Sequence, residues 1–158
     1  MGEVVVIQEG FDQASFEEIE GALTGELAGW GLASAALGIT LGLGSGGPLR
    51  RFGRQTAMWG LVDLAIAGVG RLARSRRGTL TPDEVHTQVA RLRKLLWANA
   101  AADVVYVLGG TAIAVRGGTG RTTFGMGVGD GVAIAIQGGF LLLLDVTYAR
   151  KLTATPRY

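Results

Sequence analysis

Gln55–Leu72 reads QTAMWGLVDLAIAGVGRL, an apolar run with one carboxylate, Asp63, at its centre. Spanning ~30 Å of hydrocarbon takes about 20 mostly apolar residues as helix, with ~17 as the practical minimum. The run meets that length. Arg50, Arg51 and Arg54 before it, Arg71 at its end and Arg74, Arg76 and Arg77 after it supply the charged borders of a membrane segment. An ionisable group at mid-span costs at least ~2.5–3.5 kcal/mol on insertion scales, so Asp63 is expected to face protein and not lipid.

Three further stretches read the same way, at about 27–43, 95–115 and 128–149. The expected fold is therefore all-α: a polytopic membrane protein with four transmembrane helices in a bundle. Its organisation reads as an acidic, amphipathic N-terminal segment over 1–26, the helical bundle over 27–151 and a tail over 152–158. At 158 residues the chain is one domain by length.

Composition agrees. Hydrophobic residues make up 48% and charged residues 18%, below the ~25% charge of a typical soluble domain. Mean hydropathy is +0.34 and the pI is near 9.4. In a soluble chain that pI would point to nucleic acid. Here the basic residues sit beside apolar spans, so they read as topology signals and contacts to lipid headgroups, with no nucleic-acid partner. The headgroup candidates are Arg74, Arg76, Arg77, Arg91, Arg93 and Lys94. There is no cysteine, which excludes disulfides, thiolate catalysis and thiolate metal sites.

The N-terminal segment holds seven acids within residues 1–27 (Glu3, Glu9, Asp12, Glu17, Glu18, Glu20 and Glu26) and no Lys or Arg. That is the opposite of a basic signal-peptide start, so the first span is expected to act as its own insertion signal. Gly2 lacks a myristoylation context, because Val6 stands where Ser or Thr is needed. Val4–Ile7 is too short to span. Ser15 and Glu18 match a capping box, which predicts a helix starting at Ser15 and running into the first span. That span is rich in Ala and Gly, with Gly21, Gly25 and Gly29, then Gly38 and Gly42, at four-residue spacing. Such rows let helices in lipid approach closely, so a buried, tightly packed first helix is expected. Ser45-Gly46-Gly47-Pro48 ends it.

Thr81-Pro82-Asp83-Glu84 is the strongest local signal. Thr81 reads as N-cap, Pro82 occupies the first helical position and Glu84 completes the box. Nothing then breaks a helix until about Gly109. Val85, Val89, Leu92 and Leu96 form an apolar stripe on its extramembrane part. Residues 116–131 are a Gly-rich link. Gly125, Gly127, Gly129 and Gly131 faintly resemble a phosphate cradle, but no strand precedes them, so no nucleotide is expected. His86 alone makes neither a triad nor a metal site. No cofactor or metal is expected.

The side carrying the termini and the 71–94 segment holds ten basic residues, and the other side five. Positive-inside logic puts both termini in the cytoplasm of a multi-pass protein of the inner (plasma) membrane. The polar residues of the spans form a pattern. Asn99 and Asp103 are four apart and share a helical face, with Tyr106 one turn on. On the fourth span every fourth residue reads Gly129, Ala133, Gln137, Leu141, Asp145. Counting along the spans puts Asp63, Asp103 and Gln137 at one depth, and Asn99 with Asp145 nearer the termini. An interior cluster is the economical arrangement.

Three carboxylates stand there without a cation inside the spans. Either some are protonated, or Arg54, Arg71, Arg91, Arg93 or Lys94 reaches in along its aliphatic stem, or a cation or water sits among them. The bland alternative is that the acids, amides, Tyr106, Trp59 and Trp97 bond across helices as packing contacts. Candidate binding residues are thus Asp63, Asn99, Asp103, Tyr106, Gln137 and Asp145.

Gly127-Val-Gly-Asp-Gly-Val-Ala-Ile-Ala-Ile-Gln137-Gly-Gly-Phe-Leu-Leu-Leu-Leu-Asp145, with Asn99-Ala-Ala-Ala-Asp103-Val-Val-Tyr106 and Trp59-Gly-Leu-Val-Asp63, resembles a group of small bacterial four-span integral membrane proteins of unknown function. The likeness covers about residues 55–150. It implies the same four-helix architecture and that these polar positions belong together, and it lends no activity. Two function classes follow. One is a small oligomeric transport or permeation unit handling a proton, cation or small polar solute through the carboxylates. The other is a non-catalytic accessory or assembly subunit of a larger membrane complex. An enzyme is the weaker expectation, since only carboxylate chemistry is on offer.

Overall fold

The structure is a computed structural model; it describes residues 11–122 and 124–154. The Val4–Ile7 run and the acids Glu3 and Glu9 lie outside the described residues. The architecture is all-helical: α1 Gln13–Gly44, α2 Gly47–Ser75, α3 Pro82–Gly118 and α4 Val128–Lys151. All four helices are long and apolar enough to cross a membrane. Large apolar side chains stand on the outside, among them Leu43, Val69, Val105, Leu108 and Leu143, a surface suited to acyl chains and not to water. These features mark a multi-pass membrane protein.

The helices form two antiparallel hairpins, α1 with α2 and α3 with α4. The hairpins meet mainly through α2 against α4, while α2 and α3 leave a gap between their backbones. One face of the bundle carries both ends of the helical chain and the 76–81 link; it is called the terminal face below.

The ends of the helices follow local chemistry, with two departures from expectation. α1 begins before Ser15: Asp12 is the N-cap, its carboxylate accepting from the Ser15 N–H at 2.8 Å. Asp caps as well as Ser, and the extra turn is docked by Gln13. Its side chain donates to Gly78 O at 3.2 Å and accepts from the Leu80 N–H at 2.8 Å. α2 begins at Gly47 with Pro48 in its first turn, so only Ser45 and Gly46 separate it from α1. Pro48 both ends one helix and opens the next, because its missing N–H costs nothing at a helix start. α3 runs through Gly109 and Gly110, as the span over 95–115 requires, and ends at Gly118. Two glycines cost a helix about 1 kcal/mol each in propensity, and Gly110 is buried against α4, where its lack of a side chain is needed.

The Thr81 box is present as expected. Thr81 Oγ1 accepts from the Glu84 N–H at 3.4 Å, and the Thr81 N–H donates to Glu84 Oε2 at 2.8 Å. The Thr81 N–H and the Thr81 hydroxyl, which donates to Glu84 Oε2 at 2.9 Å, together hold the Glu84 carboxyl below its ordinary value. A depressed carboxyl stabilises the fold above the unfolded value and loses that contribution as pH falls through the folded one. Thr81→Ala is expected to cost about 1 kcal/mol, read as a lower midpoint of thermal unfolding in detergent.

Packing divides the bundle along its length. In the half away from the terminal face, backbones touch. A Cβ added to Gly60 would lie 2.5 Å from the Ala35 nitrogen and 2.6 Å from Gly31 O; one added to Gly110 would lie 2.5 Å from the Ala135 nitrogen. In the terminal half, large side chains fill the interior: Phe16, Leu23, Val85, Val89, Leu96, Leu144, Tyr148 and Leu152 form one core. Helices separate as the side chains between them grow, so the bundle widens toward the terminal face.

α1 is not buried all round. Its Gly31 and Gly38 press on α2, but Gly25 and Gly29 meet nothing within 4 Å, and Leu32 and Leu43 point outward. At the terminal face Arg77 makes a two-pronged pair with Glu20, one arm at 3.1 Å, over the Phe16 ring. The acidic start of α1 thus contacts the basic link.

Candidate functional site

Three helices meet at Asp63. Its side chain is 1% exposed and accepts from Gln137 Nε2 of α4 at 2.6 Å. The Gln137 oxygen in turn accepts from Trp30 Nε1 of α1 at 2.9 Å, and the Trp30 ring stacks on Phe140 with centroids 4.1 Å apart. The row Gly129, Ala133, Gln137 explains how α4 gets there. Gly129 lies against the backbone of Pro48 and Phe52, which brings α4 close enough to α2 for an amide to span the interval.

The second half of the cluster joins α3 to α4. Asp145 lies close enough to Asp103 and Asn99 for their side chains to interact. Asp103 also lies close enough to Asp63 for their charges to interact. Asp103 is 3% exposed, yet its Oδ2 is buried with no hydrogen-bond partner; the same holds for Trp59 Nε1. Such orphaned atoms are uncommon, and each calls for an explanation. Tyr106 is half-exposed and meets Trp59 edge-on at 5.4 Å, the aromatic bridge across the gap between α2 and α3. Among the described residues, the ion pairs are Arg51–Asp130 and Arg77–Glu20. No arginine or lysine among them reaches the three carboxylates.

A cavity of about 400 Å³ lies in the gap between α2 and α3, floored by α1 and α4. Asp63, Asp103, Asp145, Asn99, Trp59 and Tyr106 all line it, and leucine, valine and isoleucine side chains make most of the remaining wall. Gln137 stands behind Asp63 and does not line it. Toward the terminal face the lining changes to Glu20, Thr24 and Arg74. From Asp63 to Arg74 along α2 is about 16 Å at 1.5 Å per residue, so the cavity joins the middle of the membrane to one surface.

Of the basic side chains at the terminal face, Arg76, Arg91 and Lys94 are exposed, and Arg93 is half-buried. Arg74 turns inward and donates to Thr24 Oγ1 at 3.2 Å, while Arg77 is held by Glu20. His86 is exposed, and Trp97 points outward, half-exposed and away from the cluster. At the other face Arg51 donates to Gly125 O at 2.7 Å and to Asp130 at 3.2 Å. Asp130 also accepts from the Gly127 N–H at 2.9 Å. The Gly-rich link is thereby tied to α2.

Sequence reasoning missed Trp30. It lies in a span whose Gly-rich pattern marks no single face, so nothing local aims it at Gln137. It also missed Tyr148, fully buried on α4, whose hydroxyl donates to Glu26 of α1 at 2.7 Å.

No curated protein and no solved structure matches the chain. A family match does exist, to a family of unknown function, DUF6992, over residues 26–146, which takes in the first three spans and most of the fourth. That stretch carries every one of the clustered polar residues from Glu26 and Trp30 to Asp145, and the chain belongs to this family.

Proposed function

We propose that the protein is a small membrane transport or permeation unit that handles a proton, a cation or a small polar solute through Asp63, Asp103 and Asp145. The observation that carries this reading is Asp103 Oδ2: a buried carboxyl oxygen without a donor, in the wall of a cavity that runs to the terminal face. A polar group kept only for packing finds its partner within the protein. Asp63 has one in Gln137; this oxygen has none among the described residues, which leaves it able to receive a transported proton or cation. Intramembrane carboxylates facing a cavity are the usual marks of ion and proton paths.

The cavity has one polar end. The opposite half of the bundle is packed backbone to backbone, within each hairpin at Gly60 and Gly110 and between the hairpins at Gly129. A complete path therefore needs a rearrangement of the hairpins or a second copy. The terminal face, richer in Arg and Lys, is the cytoplasmic one in this reading. Arg76, Arg91 and Lys94 there meet anionic headgroups of the plasma membrane. A C-terminal reporter active only outside the cytoplasm should be silent.

Function is tested with the full chain in liposomes carrying an entrapped pH dye, under imposed proton and monovalent-cation gradients. Asp63→Asn and Asp103→Asn are each expected to reduce flux at least tenfold while eluting like the parent on gel filtration. Unchanged flux in both variants would make the carboxylates structural.

A further inference from the structure

We propose that the occupant of the α2–α3 cavity is an organic monocation with an apolar body, a protonated or quaternary amine carrying hydrocarbon, its charge at Asp103 and Asp145 and its body between the two helices. This rests on the transport reading above and names the substrate class.

Size is the first ground. About 400 Å³ lies within the ~300–1,000 Å³ of ligand pockets, far more than a bare proton or alkali ion fills. Wall chemistry is the second. Hydrocarbon side chains such as Leu27, Val62, Ile66 and Leu144 make most of the lining, and a hydrated inorganic ion gains nothing from them. An apolar body gains by burial.

Charge is the third. At the mouth, Glu20 is matched by Arg77, and Arg74 bonds to Thr24. At the deep end Asp63, Asp103 and Asp145 have no basic partner among the described residues, so the field there is uncompensated and selects a cation. Among the described residues no three His, Cys, Asp or Glu side chains converge closely enough to hold a metal ion. The acids are spread along a wall, which suits one diffuse charge.

Trp59 and Tyr106 supply aromatic surface beside them, and a cation with little bound water is attracted to such faces. The fourth ground is access. The backbones of α2 and α3 stand apart, bridged by the Trp59–Tyr106 edge contact, and Val62 and Ile66 of the lining are exposed. An amphiphile dissolved in the bilayer reaches the carboxylates sideways, without first crossing a closed vestibule.

The test uses the full chain in nanodiscs of zwitterionic lipid and measures equilibrium binding of three probes. They are benzyltrimethylammonium, its uncharged carbon isostere neopentylbenzene, and rubidium ion. Saturable binding of benzyltrimethylammonium is expected, with the isostere at least tenfold weaker. Asp103→Asn and Asp145→Asn should each weaken the cation at least tenfold. Asp130→Asn, on the far face, should leave it unchanged. Each variant is first shown to elute like the parent.

Equal binding of the neutral isostere, or binding indifferent to both cavity variants, would overturn the proposal. Rubidium binding that depends on Asp103, with no competition from benzyltrimethylammonium, would overturn the organic class and leave the carboxylate site standing. No Asp103-dependent binding of either cation would overturn both.

Discussion

Gly60→Leu is expected to leave no correctly packed α1–α2 hairpin. A Cβ at Gly60 would already stand 2.5 Å from the Ala35 nitrogen and 2.6 Å from Gly31 O. Those are backbone atoms, which cannot swing aside as a side-chain tip can. The whole of α1 must move outward, and with it Trp30, which immediately precedes Gly31 in the chain. Overpacking in a well-filled interior costs about 1–3 kcal/mol and occasionally more. A clash on backbone belongs at the upper end of that range, about 3 kcal/mol. Gly29→Leu is the control, because nothing lies within 4 Å of that position. Yield of monodisperse protein after detergent extraction checks the pair: lost for Gly60→Leu, unchanged for Gly29→Leu.

Gln137→Leu is expected to cost about 3 kcal/mol, because it strands two groups at once. Asp63 loses its donor and the Trp30 indole loses its acceptor. A buried polar group left without a partner costs roughly 1–3 kcal/mol, and more if it is charged. Replacing both partners with apolar groups can be nearly neutral, so Gln137→Leu combined with Asp63→Leu should recover the part of the loss that comes from Asp63, the Trp30 indole staying unpaired. Unfolding midpoints of the single and double variants give the coupling between the two sites. Strict additivity would mean that the Gln137–Asp63 bond contributes nothing to the fold.

Much of the architecture is legible in the sequence because bilayer thickness fixes helix length. Four apolar stretches of the right size leave little choice of fold class. Depth is legible for the same reason: counting residues at about 1.5 Å each places Asp63 level with Gln137, and the two are bonded. The Thr81 box is legible because capping depends on four consecutive residues.

What escapes the sequence depends on partners distant along the chain. Ser15 and Asp12 are both competent caps, and Gln13 docking on Gly78 and Leu80 decides between them. Gly110 falls inside the third span, but nothing local says that Ala135 and Gly131 of α4 lie against it. The four-residue spacing of Gly21, Gly25 and Gly29 is as regular as that of Gly38 and Gly42, yet Gly25 and Gly29 meet nothing. Spacing shows that a face is smooth; it does not say which helix covers it. The gap between α2 and α3 has no signature at all, since it follows from which pairs of helices pack.

The absence of cysteine from the chain makes single-cysteine labelling the most direct test that the cavity joins the carboxylates to the terminal face. Ala102 lines the cavity beside Asp103, whereas Val105 is 67% exposed on the outer surface of the same helix and lines no part of it. A thiol reacts as its thiolate, which forms where water reaches and not among acyl chains. In sealed vesicles presenting the terminal face, Ala102→Cys should react with a membrane-impermeant, positively charged methanethiosulfonate, and Val105→Cys should not. Equal inertness of the two positions would contradict the account.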